Sequence, residues 1–197
     1  EGESVALVSD AGYPAISDPG YEMVLATIDA GYNVVPLSGC NACLDALVVS
    51  GIAPQPFMFY GFLSHTNKNK TKELEKLKNI TYTIVFYEAP HRIKATLDCM
   101  MKVLGDRKIA LCREITKKHE EILRGTISEV LEVVDELKGE MVIIVEGNTK
   151  EETLEVNYIE EIDKLLTQGY SKRDAIREIA DKYNVSKNKL YNEFKEN

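Results

Sequence analysis

Two short stretches set chemically capable side chains close together. In Tyr87-Glu88-Ala89-Pro90-His91-Arg92 a carboxylate, an imidazole and a guanidinium follow directly on the apolar run Thr83–Tyr87. In Cys112-Arg113-Glu114 a second cation and carboxylate follow another such run, Ile109–Cys112. A carboxylate or neutral imidazole can take a proton as a reaction proceeds, and a guanidinium can hold a phosphate or a developing oxyanion. The same residues admit plainer roles: Glu88 pairing with an arginine, His91 capping the following helix, Arg113 and Glu114 forming one ion pair.

A third stretch is of a different kind. Ser9–Gly20, "SDAGYPAISDPG", places two prolines, two glycines and two aspartates directly after the apolar run Val5–Val8. Proline fixes φ, and glycine lets another group approach the main chain where a Cβ would block it. A turn leaving a strand of an open α/β sheet and feeding a helix is where such sheets bind ligands. In that turn Asp10 or Asp18 faces a ligand or caps a helix, Gly12 exposes the main chain, and Pro14 stiffens the loop. The spacing matches neither a dinucleotide-binding G-x-G-x-x-G nor a phosphate-binding loop ending in Gly-Lys-Ser/Thr.

The elements that must carry these stretches alternate. Val5–Val8, Val34–Leu37, Thr83–Tyr87, Ile109–Cys112 and Met141–Val145 read as strands covered on both faces. Helical patterns lie between them at Tyr21–Ala30, Cys43–Ser50, Thr71–Leu77 and Ile93–Leu104, with Gly31, Gly51 and Gly105 as stops. Such alternation predicts a mostly parallel sheet. Ile52-Ala-Pro-Gln-Pro56 reads as a linker, and the polar stretch Asn148–Glu155 marks a second break. The predicted domains are therefore 1–54, 55–149 and 155–197.

The last of these is helical. Ile159 to Leu166, Ala175 to Tyr183 and Leu190 to Phe194 supply three apolar faces, with Ser171 as an N-cap and Asn184-Val185-Ser186 as the turn. The spacing from Ala180 to Leu190 resembles a helix-turn-helix, whose outer face would offer Lys187 and Lys189 to phosphates; a stabilising three-helix bundle has the same pattern. Five lysines between His65 and Asn79, among them Lys68, Lys70 and Lys72, could likewise grip RNA, or could form a solvated helix face with Glu73 and Glu75.

Composition narrows the classes. The chain has 197 residues, 44% hydrophobic and 28% charged, enough to bury a core and unlike a disordered segment. A net charge of -8 excludes nucleic-acid binding by the whole surface and confines it to local basic patches. No apolar run reaches the roughly 20 residues of a membrane span, so no membrane partner and a cytoplasmic location are expected. Cys40 and Cys43 form a C-x-x-C without a second close pair, so core cysteines are expected rather than a metal site.

The segments "ALVSDAGYPAISDPGY", "VVPLSGCNACLDALVVSGI", "FYGFLS", "IVFYEAPHRI", "LCREITKKHEEILRGTISE" and "KGEMVIIVEG", in that order, closely resemble the tetrapyrrole methylase superfamily. Within it they are similar to the branch that methylates a ribose 2′-hydroxyl of 16S ribosomal RNA with S-adenosylmethionine, releasing S-adenosylhomocysteine. The resemblance spans Val5 to Gly147 and implies a two-domain α/β fold, usually a homodimer, with the cofactor between the domains and the helix-turn-helix-like tail as an extension. Members of the family carry further residues before Val5. The first domain is thus expected to be incomplete here, and the chain inactive on its own.

The resemblance implies a cofactor wall made by Asp10, Ala11, Gly12, Tyr13 and Pro14, by Gly39, Cys40, Asn41 and Ala42, and by Tyr87, Glu140, Met141 and Val142. Main-chain contacts are expected to dominate there. Tyr13 stands where relatives often have Thr or Met, and Ser38 and Cys40 where they tend to have proline. For a methyl transfer to a hydroxyl, alignment of donor and acceptor supplies most of the acceleration. Glu88 or His91 is the expected base, with Arg92 and Arg113 as phosphate or oxyanion partners. Two other classes share some of these features: a methyltransferase acting on a corrin or porphyrin precursor, and a non-enzymatic nucleic-acid-binding protein.

Overall fold

The β-branched runs of the middle of the chain become the middle of a sheet. The structure, a computed structural model, describes residues 2–10, 12–149, 158–183 and 185–196. Helices α1 (Tyr21–Asp29) and α2 (Ala42–Ser50) are followed by β1 (Phe57–Phe62), α3 (Asn67–Leu77), β2 (Thr83–Glu88), α4 (Ile93–Leu104), β3 (Lys108–Arg113), β4 (Glu121–Thr126), α5 (Ile127–Leu131) and β5 (Met141–Val145). The five strands form one sheet in the order β1-β2-β5-β3-β4.

Alternate side chains of a strand point to opposite faces, and here both faces are covered. Ile84, Phe86, Ile109, Leu111, Met141 and Ile143 join one core with Leu74 of α3, Leu97 and Met100 of α4 and Ile127 of α5. Val85, Ala110, Cys112, Val142 and Ile144 join the other with Cys43, Ala46 and Leu47 of α2. This is why β2, β3 and β5 read as unbroken apolar runs. The edge strands escaped detection because Gly61 interrupts β1 at a register shift and Arg124-Gly125 interrupts β4.

Several expectations are corrected. β1, β2 and β3 do run the same way through helical crossovers, as the alternation predicts. β4 returns from β3 through the short loop 114–120, which obliges an antiparallel pair, and β5 enters between β2 and β3 against both. Only β1 and β2 therefore pair in parallel, and the sheet is mixed. Val5–Val8 and Val34–Leu37 are not strands: Val5 is 90% and Leu37 84% exposed, and neither segment has a strand beside it among the described residues. An apolar run without a ladder partner or a covered face does not hold as a strand. Residues 1–149 cluster as one compact unit, in which α2 packs on the sheet across Ile52–Pro56.

The second compact unit, residues 150–197, holds α6 (Tyr158–Thr167), α7 (Lys172–Tyr183) and α8 (Lys187–Glu196). Ile162, Ala175, Ile176, Ile179, Ala180 and Leu190 form its core. The N-cap at Ser171 is present: its hydroxyl accepts from the Asp174 amide at 3.2 Å and donates to the Asp174 carboxylate at 2.6 Å. Asn184 of the turn and residues 155–157 of the expected domain lie outside the described residues.

Candidate functional site

The ends of β1, β2 and β3 and the beginnings of β4 and β5 share one edge of the sheet. Across it Phe62 pairs with Tyr87, Tyr87 with Val142, Glu88 and Arg113 both with Met141, and Arg113 with Glu121. Register alone thus aligns Tyr87, Glu88, Arg113, Met141 and Val142, although they come from three distant segments.

The glycine-rich turns reach this edge through α2. Asn41 caps α2, its Oδ1 accepting from the Leu44 amide at 3.2 Å, and Ala42 packs in the core group that includes Tyr87. The Gly39 amide donates to the Tyr13 hydroxyl at 3.2 Å, which ties the turn around residues 12–14 to the turn around 39–42. Gly12 adopts φ +73°, and a Cβ there would lie 3.6 Å from the Cys40 carbonyl. A Cβ would fit at that distance, so it is the positive φ that favours glycine here. Asp10, Gly12, Gly39 and Cys40 are exposed, Tyr13, Pro14, Asn41 and Ala42 half-buried; Ala11 lies outside the described residues. Burial, then the neighbouring Cys43, pushes the Tyr87 phenol up. Burial also pushes the thiols of Cys43 and Cys112 up to about 11, which makes them core side chains rather than nucleophiles.

On the β2 side, Glu88 is buried and fully engaged. Its Oε1 accepts from the Ala89 amide at 2.9 Å and lies 3.2 Å from Arg92 Nε, while its Oε2 accepts from Thr96 Oγ1 at 2.5 Å. Thr96 Oγ1 accepts in turn from Lys70 Nζ at 2.7 Å. Arg92 donates to the carbonyls of Leu63 and Ser64 at 2.7 and 3.1 Å, and its NH1 lies 3.0 Å from His65 Nδ1. Its guanidinium is therefore committed to the protein, whereas the neighbouring His91 is exposed.

The β3 side is more open. Arg113 Nε donates to Glu121 at 3.0 Å and its NH1 to the Lys138 carbonyl at 3.2 Å. Glu114 and Thr116 hold positive φ of 49° and 64°, a strained backbone for residues with a Cβ. The loop is clamped to the start of β5: the Glu114 amide donates to the Glu140 carbonyl at 2.9 Å, and the Glu140 amide to the Glu114 carboxylate at 2.8 Å. That amide and the Lys117 ammonium hold the Glu114 carboxyl below its ordinary range. Met141 and Val142 are buried, with β2 on one side of them and β3 on the other.

The lysines divide. Lys70 is 2% exposed and bound to Thr96, so it cannot hold RNA, contrary to expectation. With Leu74 and Leu77 it lies on the inward stripe of α3, a helical spacing that marks it as a core position. Thr96, which the sequence analysis passed over, sits likewise among Ile93, Leu97 and Met100 on the buried face of α4. Lys68 and Lys72 are exposed; Lys187 pairs with Asp181 at 3.2 Å, and Lys189 also has a partner. A concavity of about 650 Å³ beside Tyr170 and Arg177 belongs to the second unit, and one of about 220 Å³ beside Gly51 and Arg124 lies at the opposite end of β3 and β4 from this edge.

Residues 1–131 match the family of tetrapyrrole (corrin/porphyrin) methylases. The chain belongs to that family. Tetrapyrrole methylases of this kind are S-adenosylmethionine-dependent methyltransferases. Over 98% of its length the chain is 49% identical to ribosomal RNA small subunit methyltransferase I of Bacillus subtilis (strain 168), covering 69% of that protein. It is 39% identical to the protein of the same name from Synechocystis sp. over 96% of its length, covering 70% of that one. Among solved structures the methyltransferase CobJ superposes with a TM-score of 0.54 at 17% identity, over 72% of this chain and 64% of that one. Cobalt precorrin-4 methyltransferase gives 0.51 at 14%, over 68% and 61%. At those identities the superpositions establish the methylase fold. The chain thus spans about seven-tenths of its curated relatives and less than two thirds of these structures.

Proposed function

We propose that this methylase transfers a methyl group from S-adenosylmethionine to a ribose 2′-hydroxyl of 16S ribosomal RNA in the small subunit, acting as a homodimer in the cytoplasm. The reading is carried by the 49% identity across nearly the whole chain to a protein named ribosomal RNA small subunit methyltransferase I. S-adenosylmethionine supplies an electrophilic methyl group on a sulfonium. The chain's part is to hold the donor against exposed main chain, to align an acceptor oxygen with it, and to keep water out.

The donor side falls to Asp10, Gly12, Tyr13 and Pro14, to Gly39, Cys40, Asn41 and Ala42, and to Tyr87 with Glu140, Met141 and Val142. A cradle in which Gly12 holds φ +73°, a conformation that side-chain-bearing residues rarely adopt, and in which Met141 and Val142 turn their side chains into the core, fits a ligand held by backbone groups. The acceptor side falls to the turn after β2. His91, exposed, is better placed to accept a proton than Glu88, whose two oxygens are already engaged. Arg113 is the phosphate or oxyanion partner of that side, while Arg92 holds the turn. Lys68 and Lys72, with Lys187 and Lys189 of the tail, bind the RNA backbone electrostatically.

The test is methyl transfer by the full-length protein to small ribosomal subunits, with a precorrin as the competing acceptor and calorimetry with S-adenosylhomocysteine beside it. Transfer to the subunit alone is expected. Cofactor binding with transfer only to the precorrin overturns the choice of substrate, and no cofactor binding overturns the enzyme reading. Replacing Lys187 and Lys189 by glutamate is expected to lower the salt dependence of RNA binding, and an unchanged slope removes the tail from the interface.

A further inference from the structure

A lysine ammonium is the group least expected in a protein core, and a single hydroxyl is a poor replacement for its water. Lys70 is nonetheless 2% exposed, with Thr96 as its hydrogen-bonding partner, and Thr96 is fully buried. The direction of the bonds is fixed by chemistry. An ammonium only donates, so the Thr96 oxygen accepts from Lys70 and its own proton goes to Glu88 Oε2. The other Glu88 oxygen takes the Ala89 amide and faces Arg92. One buried carboxylate thus stands between two cations, held on both oxygens, and cannot turn without breaking a bond.

The far end of this chain of bonds is the functional edge. Arg92 spans from the turn after β2 to the loop after β1, reaching the Leu63 and Ser64 carbonyls and His65. His91 lies beside it in sequence, on the turn so held. A well-packed apolar group in place of the ions would be as stable or more so, and what such a network adds is a defined arrangement. We propose that Lys70 is a positioning residue: through Thr96 and Glu88 it locks Arg92, and so holds the turn bearing His91 against the loop after β1, in the geometry that methyl transfer requires. The inference rests on the proposed function for its catalytic part and on the bonds alone for its structural part.

Both parts can be read separately in the full-length protein. Thr96→Val keeps the shape and removes the relay, Thr96→Ser keeps the hydroxyl, and Lys70→Met removes the charge. The chain has 3 histidines. The ¹⁵N signal of His65 Nδ1 reports its bond with Arg92, and exposed His119 serves as a reference within the same molecule. In Thr96→Val and Lys70→Met the His65 signal is expected to move toward that of a free imidazole while His119 stays, and Thr96→Ser is expected to restore it. In the same variants kcat for small subunits should fall at least tenfold, with affinity for S-adenosylhomocysteine changed less than threefold, and serine should recover kcat to within threefold. A His65 signal unmoved in both variants overturns the network. A moved signal with kcat unchanged overturns its role in positioning. A wild-type protein inert toward RNA overturns the proposed function, and the histidine signals still decide the network.

Discussion

The two ends of the functional edge use the same pair of side chains differently. At the end of β2, Arg92 and Glu88 are 12% and 1% exposed; at the end of β3, Arg113 and Glu121 are 22% and 40% exposed. The first pair extends inward through Thr96 to Lys70 and outward to two carbonyls. The second extends to one carbonyl and to solvent. An ion pair removed from water depends on every remaining partner, because losing one strands a charge; an exposed pair can exchange its partner for water at little cost. The edge therefore has a half whose charges are committed to the protein and a half whose charges can exchange partners with water.

This contrast can be broken from the committed side first. Glu88→Gln removes the carboxylate that links Lys70 to Arg92 and is expected to cost about 3–5 kcal/mol in urea denaturation. Thr96→Val, which leaves the charges and removes one hydroxyl, is expected to cost about 1–3 kcal/mol by the same measurement. Glu121→Gln should cost less than about 1 kcal/mol, a difference that shrinks further in high salt. Equal costs for Glu88→Gln and Glu121→Gln would erase the distinction.

A pH series sharpens the open half. The Glu114 carboxyl is depressed in the folded chain by the Glu140 amide and by Lys117. A depressed carboxyl stabilises the fold fully above its unfolded pKa of about 4.3, and the contribution is lost as pH falls through the lower folded value. The exchange protection of the Glu140 amide should accordingly be flat from neutral pH down to about 5 and decline only below about 4. Protection that declines near neutrality would assign the clamp to some other group.

Much of this edge could be read in advance, for reasons of period and position. Thr83–Tyr87 and Met141–Val145 announced buried strands because both of their faces are covered, and the ends of such strands drew attention to Glu88, His91 and Arg113. Local sequence could not supply register: nothing near Met141 reveals that it lies between Glu88 and Arg113, since pairing is a long-range choice. By residue type Lys70 reads as a surface cation, but its place on the Leu74–Leu77 stripe makes it a core position. Val5–Val8 reads as a strand by its own residues, but a strand depends on its neighbour as much as on those residues. The direction of β5 was likewise hidden, being set by where it inserts.

That insertion shapes how the chain comes into being. β5 is the last of the described strands to leave a translating ribosome, yet it belongs at the centre, bonded to β2 on one flank and to β3 on the other. Until residues 141–145 emerge, nothing joins β1 and β2 to β3 and β4, and the borders that β5 will cover stay unpaired. Such borders are prone to stick to one another or to other nascent chains. The first unit thus gains its cooperativity in one late closing event, and a ribosome stalled short of Met141 would release a product needing chaperone protection.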